Sequence, residues 1–260
     1  MKQRNICIIQ ARMGSTRLPG KILNILGDRP LLWHVAERAR HAQLVDQVVI
    51  ATTDSSDDEV IFSFCQEQKL TCYRGSVENV LSRYYHAAKG QGATTVVRVT
   101  GDCPLIDPAT INACIEAFYK GRWDYLSNAV PGERSYPRGL DVEVFTFTAL
   151  EKAFLNAKEV IELEHVAPYI WQNKTGEFRI SPIVSAPPEL ARSYRLTVDY
   201  PEDYAVMERI YLTLYKPGNI VSTKEVIAFL DNHPEVALIN MHREEHWEQR
   251  MAKAKRDDGF

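Results

Sequence analysis

The chain has 260 residues, 45% hydrophobic and 25% charged, an ordinary globular composition with room for one large domain or two small ones. A net charge of −3 argues against a general nucleic-acid binder, whose affinity rests on a basic surface. Five cysteines without a C-x-x-C pair suggest neither a disulfide framework nor a zinc ribbon, and no apolar run approaches a membrane span; only four apolar residues follow Asn5, so a cytoplasmic location is expected.

Ile6-Cys7-Ile8-Ile9 is continuously apolar, the pattern of a strand buried on both faces. Then the character changes. Arg12, Arg17 and Lys21 bring three cations together, interleaved with Gly14, Ser15, Thr16 and Gly20. Such a loop turns tightly, exposes backbone N–H groups and surrounds an anion with donors, which points to a phosphate-rich ligand. It is not a P-loop: five residues separate Gly14 from Gly20, and Ile22 follows Lys21 where a hydroxyl would meet Mg²⁺. The fingerprint G-x-G-x-x-G is absent as well. The loop's place after a first buried strand, where open α/β sheets bind ligands, marks it as a local site.

Residues 30–42 have a helical apolar face, and 46–52 read as a second buried strand that brings Thr53 and Asp54 to its carboxyl end. Asp57, Asp58 and Glu59 open the next helix and read as solvated groups that complement its dipole. A short strand at 70–73 leads to Ser76, a plausible cap for a helix over 77–89 on which Arg83 is either exposed or turned to ligand. The strand 95–99 runs into Thr100-Gly101-Asp102, where glycine lets the chain turn and sets the Asp102 carboxylate on the sheet's rim. Asp107 caps the following helix. After a strand at 123–127, the loop 130–138 is a lid or an acceptor-binding element. In 139–145, Leu140, Val142 and Val144 face one way and Asp141 and Glu143 the other. A helix is read across 162–173, with His165 a structural or a site residue. Strands are expected at 177–184 and 194–199, the latter ending at Asp199. Helices then cover 201–214, with Glu202 and Asp203 in the first turn, and 223–232. The charged tail reads as a solvated or frayed helix; His242 and His246 do not form a zinc-protease motif, because Arg243 stands where Glu is needed.

The pattern Ala11-Arg12-x-Gly14-Ser15-x-Arg17-x-Pro19-Gly20-Lys21 resembles the signature loop of the nucleotidyltransferases that make CMP-activated sugar acids, including the CMP-sialic acid and CMP-Kdo synthetases. The nearest resemblance is to the spore-coat polysaccharide biosynthesis cytidylyltransferase-like proteins. In that superfamily the loop wraps the nucleotide's triphosphate, which implies phosphate contacts for Arg12, Ser15, Arg17 and Lys21, with Ala11 and Gly14 beside them. The segment at Thr53 and Asp54 borders the nucleotide pocket in the family. Gly75-Ser76-x-x-Asn79-Val80-Leu81-x-Arg83-Tyr84 resembles its second nucleotide-side segment, which adds Ser76 and Asn79, and Thr100 joins the same set. Members carry Gly-Asp-x-Pro-Leu at the place of Gly101 to Leu105, and its Asp binds Mg²⁺. Val198-Asp199-x-Pro201-Glu202-Asp203 resembles the second metal-binding segment. The resemblance thus implies Asp102 and Asp199 as metal ligands and Arg138, Asp141, Glu143 and His165 as acceptor-side residues. Thr100 replaces the Gln of CMP-Kdo synthetases, and residues 75–81 differ from theirs.

The expected fold is α/β: one three-layer domain over 1–260 with a mainly parallel Rossmann-like sheet, of the nucleotidyltransferase (GT-A-like) kind. The excursion 130–185 is expected to carry acceptor contacts and a homodimer contact, and 240–260 the charged tail. The implied reaction is attack by a hydroxyl of a sugar or sugar acid on the α-phosphate of CTP, with loss of pyrophosphate. Arg12 and Lys21 would neutralise charge, and Asp102 and Asp199, strand-end carboxylates on one rim, would repel each other unless a cation such as Mg²⁺ lay between them. No nucleic acid or membrane partner is expected. A GT-A-type glycosyltransferase would need Asp-x-Asp, which Asp102-Cys103-Pro104 does not supply. A non-catalytic sugar-nucleotide-binding protein would not need both carboxylates.

Overall fold

The structure is a computed structural model that describes residues 3–130 and 133–243. It opens with β1 (Asn5–Gln10), whose apolar run follows from its place: it pairs in parallel with β4 on one side and β6 on the other, so both faces are covered. A ribbon of β2 (Ile25–Leu26) and β3 (Arg29–Pro30) leads to α1 (Leu31–Arg40), then β4 (Gln47–Thr53), α2 (Glu59–Glu67) and β5 (Thr71–Gly75). Next come α3 (Val80–Gly90), β6 (Thr95–Thr100), α4 (Pro108–Gly121) and β7 (Tyr125–Ser127). The short β8 (Ala129–Val130) and β9 (Glu133–Arg134) form a second ribbon before β10 (Glu143–Thr146). The chain continues through α5 (Phe147–Asn156), α6 (Val160–His165), α7 (Pro168–Gln172), α8 (Pro201–Leu214) and α9 (Thr223–Asn232), and residues 234–243 are helical.

The central sheet has the order β5-β4-β1-β6-β10-β7. Strands β5, β4, β1 and β6 are parallel, and β10 is antiparallel to both of its neighbours. Alternate side chains of β1 sort the two outer layers. Cys7 and Ile9 join a core with α1, α2, α4, α8 and α9, while Ile6 and Ile8 join one with α3, α5 and α7. The expected three-layer, mainly parallel α/β architecture is the one present. No helix among the described residues is long and apolar enough to cross a membrane.

Four expectations need correction. Residues 177–184 form no strand; Ile180 makes one isolated bridge to Tyr125, and Pro182 interrupts any longer ladder. Residues 194–199 also stay outside the sheet: Arg195 bridges Arg138, and Val198 N–H donates to the Asp102 carbonyl (2.9 Å), so loops supply the hydrogen bonds. The helix expected over 162–173 is two helices, broken at Val166 (φ 72°) ahead of Pro168. Ser76 does not cap α3. Its hydroxyl accepts from Asn79 N–H (3.1 Å), and Asn79 Oδ1 accepts from Ser82 N–H (2.8 Å) as the true cap. Pro131 and Gly132 of the 130–138 loop, and the tail with His246, lie outside the described residues.

Candidate active site

Parallel strands deliver their carboxyl ends to one edge of the sheet, and there Gln10, Thr53, Gly75 and Thr100 hand over to loops. The basic loop after β1 folds on itself through Ser15 N–H to the Met13 carbonyl (2.8 Å) and Gly20 N–H to the same oxygen (3.3 Å). The fixing residue is Asp58. It is 3% exposed, accepts from Met13 N–H (2.6 Å) and from the Thr53 hydroxyl, and so ties the loop to the end of β4. The reading of Asp58 as a solvated, dipole-matching residue is therefore wrong; Ser55 caps that turn by accepting from Asp57 N–H (3.3 Å). Gly101 allows the end of β6 to lie against β1, since a Cβ there would stand 2.6 Å from the Gln10 carbonyl.

At this edge five charged groups converge. The Lys21 ammonium, on a residue 7% exposed, lies 2.9 Å from Asp102 Oδ2 and 3.0 Å from Asp199 Oδ1, and donates to the Val198 carbonyl (2.6 Å). Arg17 meets Asp199 Oδ1 at 2.7 Å, and Arg195 meets Asp199 Oδ2 at 3.0 Å. Behind them Asp203, fully buried, receives Arg195 (2.8 and 3.0 Å), Asn240 Nδ2 (2.9 Å) and the backbone N–H groups of Asp199 (2.9 Å) and Tyr200 (3.0 Å). Burial opposes both charges of the central pair, but the partners prevail. The Lys21 pKa is raised by Asp102 and Asp199, and that of Asp199 is lowered to about 2 by Lys21, Arg17 and Arg195. Asp102 and Asp199 thus come together as expected, but by another route: Asp199 comes from a non-sheet segment pinned to Asp102, and the Lys21 ammonium contacts both carboxylates. No group of three or more His, Cys, Asp or Glu side chains that could hold a metal occurs among the described residues. The two carboxylates offer hard oxygen ligands, the type and number that Mg²⁺ takes from proteins when phosphates and water complete its shell.

The remaining expected site residues are dispersed around this cluster. Arg12 and Gly14 are exposed on the loop, Ala11 is buried at its root, and Ser15 Oγ accepts from Leu18 N–H at 3.4 Å. Thr53 is buried with its hydroxyl engaged by Asp58, and Asp54 is exposed beside it. Thr100 Oγ1 lies 3.1 Å from Cys103 Sγ. On the β10 side Asp141 forms a two-pronged pair with Arg134 (2.6 and 3.0 Å). Glu143 pairs with Arg98 and accepts from the Tyr125 hydroxyl (2.6 Å). Arg138 is 8% exposed and its backbone anchors the 194–196 segment; with Tyr136 and Leu140 also buried, the loop's second half is built into the core and is no lid. His165 closes α6, where partial burial of its ring and the charge of Arg98 lower its pKa.

Sequence reasoning missed Asp58, Arg98, Arg195 and Asp203 as organisers of the site. Arg98 had left a signal, a charge inside the apolar run of β6, and its cross-strand partner is Glu143. Asp203 stands four residues after Asp199, the reach of a helix-start side chain to the preceding backbone.

The family model for cytidylyltransferases matches residues 6–229. The chain is 38% identical to an uncharacterized protein of Methanocaldococcus jannaschii, over 90% of this chain and 93% of that one. It is 35% identical to the spore coat polysaccharide biosynthesis protein SpsF of Bacillus subtilis, over 88% and 95% of the two chains. Among solved structures, a cytidylyltransferase from Leptospira borgpetersenii superposes with a TM-score of 0.81 at 33% identity, covering 91% of this chain and 97% of that one. With its basic loop at the end of β1 and its paired carboxylates on the same edge, this chain belongs to the cytidylyltransferase family.

Proposed function

We propose that the protein transfers CMP from CTP to a hydroxyl of a sugar or sugar acid and releases pyrophosphate, as a step in making a surface polysaccharide or glycan. The observation that carries this reading is the Lys21 ammonium shared between Asp102 and Asp199 at the tip of the β1 loop. Lys21 and Arg17 both hold carboxylate partners, so an incoming triphosphate competes with Asp102 and Asp199 for the same cations. Arg12, Ser15, Arg17 and Lys21 then hold the phosphates, with the loop kept in shape by Asp58. Asp102 and Asp199 would hold Mg²⁺, which when bound neutralises phosphate charge and lowers the pKa of the attacking hydroxyl. Little covalent work falls to the chain itself: its residues position the reactants and offset charge on the departing pyrophosphate.

The acceptor belongs beside Asp102, over β6 and β10. The Arg98–Glu143–Tyr125 network, Asp141, Arg138 and His165 border that space and would set which hydroxyl is presented. The excursion 130–185 is assigned the acceptor contacts and a homodimer contact within one catalytic domain acting in the cytoplasm. Pyrophosphate release is the test, measured with Mg²⁺ and each of CTP, UTP, ATP and GTP against a panel of sugars and sugar acids. CTP should give turnover with at least one acceptor. Turnover with another nucleotide in preference to CTP, or none with any pair, overturns the reading.

A further inference from the structure

In the layer built by α1 and α8, a cleft opens between α1, the end of α8 and residues 218–221, and it shares no residue with the cluster around Lys21. Its walls are aromatic. The buried His34 ring stands edge-on to Trp33 (5.2 Å), Tyr211 (4.5 Å) and Tyr215 (5.1 Å). Two of these rings are held in place by their hydroxyls, Tyr211 donating to the Pro104 carbonyl (2.8 Å) and Tyr215 to Asp28 Oδ1 (2.8 Å). Gly27 leaves the Tyr215 ring its room, since a Cβ there would stand 2.6 Å from Cδ1 of that ring.

One polar group in this cleft is incompletely used. Arg38 is 3% exposed and is fixed by hydrogen bonds, Nε to the Ile106 carbonyl (2.6 Å) and Nη2 to those of Val221 (2.8 Å) and Leu105 (3.4 Å). Its Nη1 has no hydrogen-bond partner among the described residues, yet it is not sealed off: Arg38 lines the cleft, and Nη1 keeps surface that solvent reaches. The three partners of Arg38 are neutral carbonyls, and no carboxylate forms an ion pair with it among the described residues. Asp107 acts on it only from a distance, its carboxylate accepting from the Thr110 backbone and hydroxyl. A nearly buried guanidinium with one nitrogen turned to an open cleft and no counter-charge favours an anion there.

The surroundings decide which anion. Glu37 lines the same cleft, its carboxylate 3.8 Å from Arg40 and 3.7 Å from His41, so a phosphate with two negative charges would meet a like charge. A single carboxylate satisfies Arg38 at less cost, and a flat ring matches the aromatic walls. We propose that this cleft is a second ligand site, which takes a small aromatic carboxylate: the carboxylate accepts from Arg38 Nη1, and the ring lies among Trp33, Tyr211 and Tyr215.

The test uses benzoate as the probe, titrated into the full-length protein and followed by saturation-transfer NMR. Binding should saturate with a Kd on the order of 1 mM, the affinity that so few heavy atoms can supply. Benzamide keeps the ring and shape but not the charge, and acetate keeps the charge but not the ring. Each should bind at least ~10-fold more weakly, the lower end for loss of a hydrogen bond to a charged group. Inorganic phosphate at equal ionic strength should not displace benzoate. Arg38 holds three carbonyls, so its replacement endangers the fold, and the variant is instead Ile220→Trp, which fills the cleft from its loop wall. With an unchanged thermal melt, Ile220→Trp should lose benzoate binding. Four results would each overturn the proposal. The first is no saturable binding to the wild type at roughly tenfold above the expected Kd. The second is benzamide binding as well as benzoate, which removes Arg38 from recognition. The third is phosphate displacing benzoate, which makes the cleft a general anion site. The fourth is benzoate binding retained by folded Ile220→Trp, which places the probe elsewhere.

Discussion

At the scale of single residues, the organising fact is one ammonium between two carboxylates. Lys21 is nearly buried, and its desolvation is offset because Asp102 and Asp199 are both within 3.0 Å. Asp199 in turn stays ionised, its pKa held near 2 by Lys21, Arg17 and Arg195 against the opposing effect of burial. This predicts the outcome of replacing either by its amide. Asp102→Asn and Asp199→Asn keep the shape and remove the charge, so turnover should fall at least ~10²-fold, the size expected for loss of a preorganised electrostatic contact. Initial rates of pyrophosphate release at saturating CTP measure it, and circular dichroism melts verify that the variants fold. Activity within a few-fold of wild type in both would remove the pair from the mechanism.

At the scale of elements, the start of α8 does more than complement a dipole. Asp203 Oδ2 accepts from the backbone of Asp199 and Tyr200, while both its oxygens meet Arg195. The helix therefore fixes the backbone that carries Asp199. Glu202, its neighbour in the same turn, pairs with Arg243 (2.6 Å), both side chains being partly exposed. Breaking a fully buried pair strands a charge, whereas a pair that solvent reaches contributes less. Asp203→Ala should destabilise the protein by about 3–5 kcal/mol and Glu202→Ala by less than about 1 kcal/mol in urea unfolding. Similar losses for the two would mean that the buried network is not what holds Asp199 in place.

At the scale of the whole molecule, α1 packs against α8 through His34. Its Nε2 donates to the Leu26 carbonyl (2.7 Å), and its ring lies edge-on to Tyr211 at 4.5 Å. Burial lowers its pKa to about 4, with Arg38 adding to the effect and Asp28 opposing it. The folded state thus holds His34 neutral while the unfolded chain protonates near 6.5. Stability from this group is complete above that value and is lost as pH falls toward 4. Between pH 7.5 and 5 the loss should reach about 2 kcal/mol more in the wild type than in His34→Gln, whose amide replaces the Nε2 donor without titrating. Urea unfolding across that window tests it, and parallel pH slopes for the two proteins would assign the effect elsewhere.

The local pattern of the chain was enough for much of this architecture. The Ile-rich run named β1 because a strand paired on both sides must be apolar throughout, and the spans of α8 and α9 were readable from their amphipathic faces and N-terminal signals. The basic loop was legible because phosphate recognition needs donors and turn residues close together in sequence. Other features were decided only by the tertiary structure. Residues 177–184 and 194–199 look like strands because extended backbone has the same side-chain alternation in or out of a sheet. The first runs along β7 with Pro182 breaking the ladder, and the second bonds to the loops at Arg138 and Asp102. Asp58 looked like a surface charge because its burial depends on a segment far away in the chain, the β1 loop, and Arg83, read as either exposed or turned to ligand, is buried under the end of β5. The contact of Lys21 with both Asp102 and Asp199 was likewise hidden: 81 residues separate Lys21 from Asp102, and only the folded sheet brings that ammonium to the carboxylates.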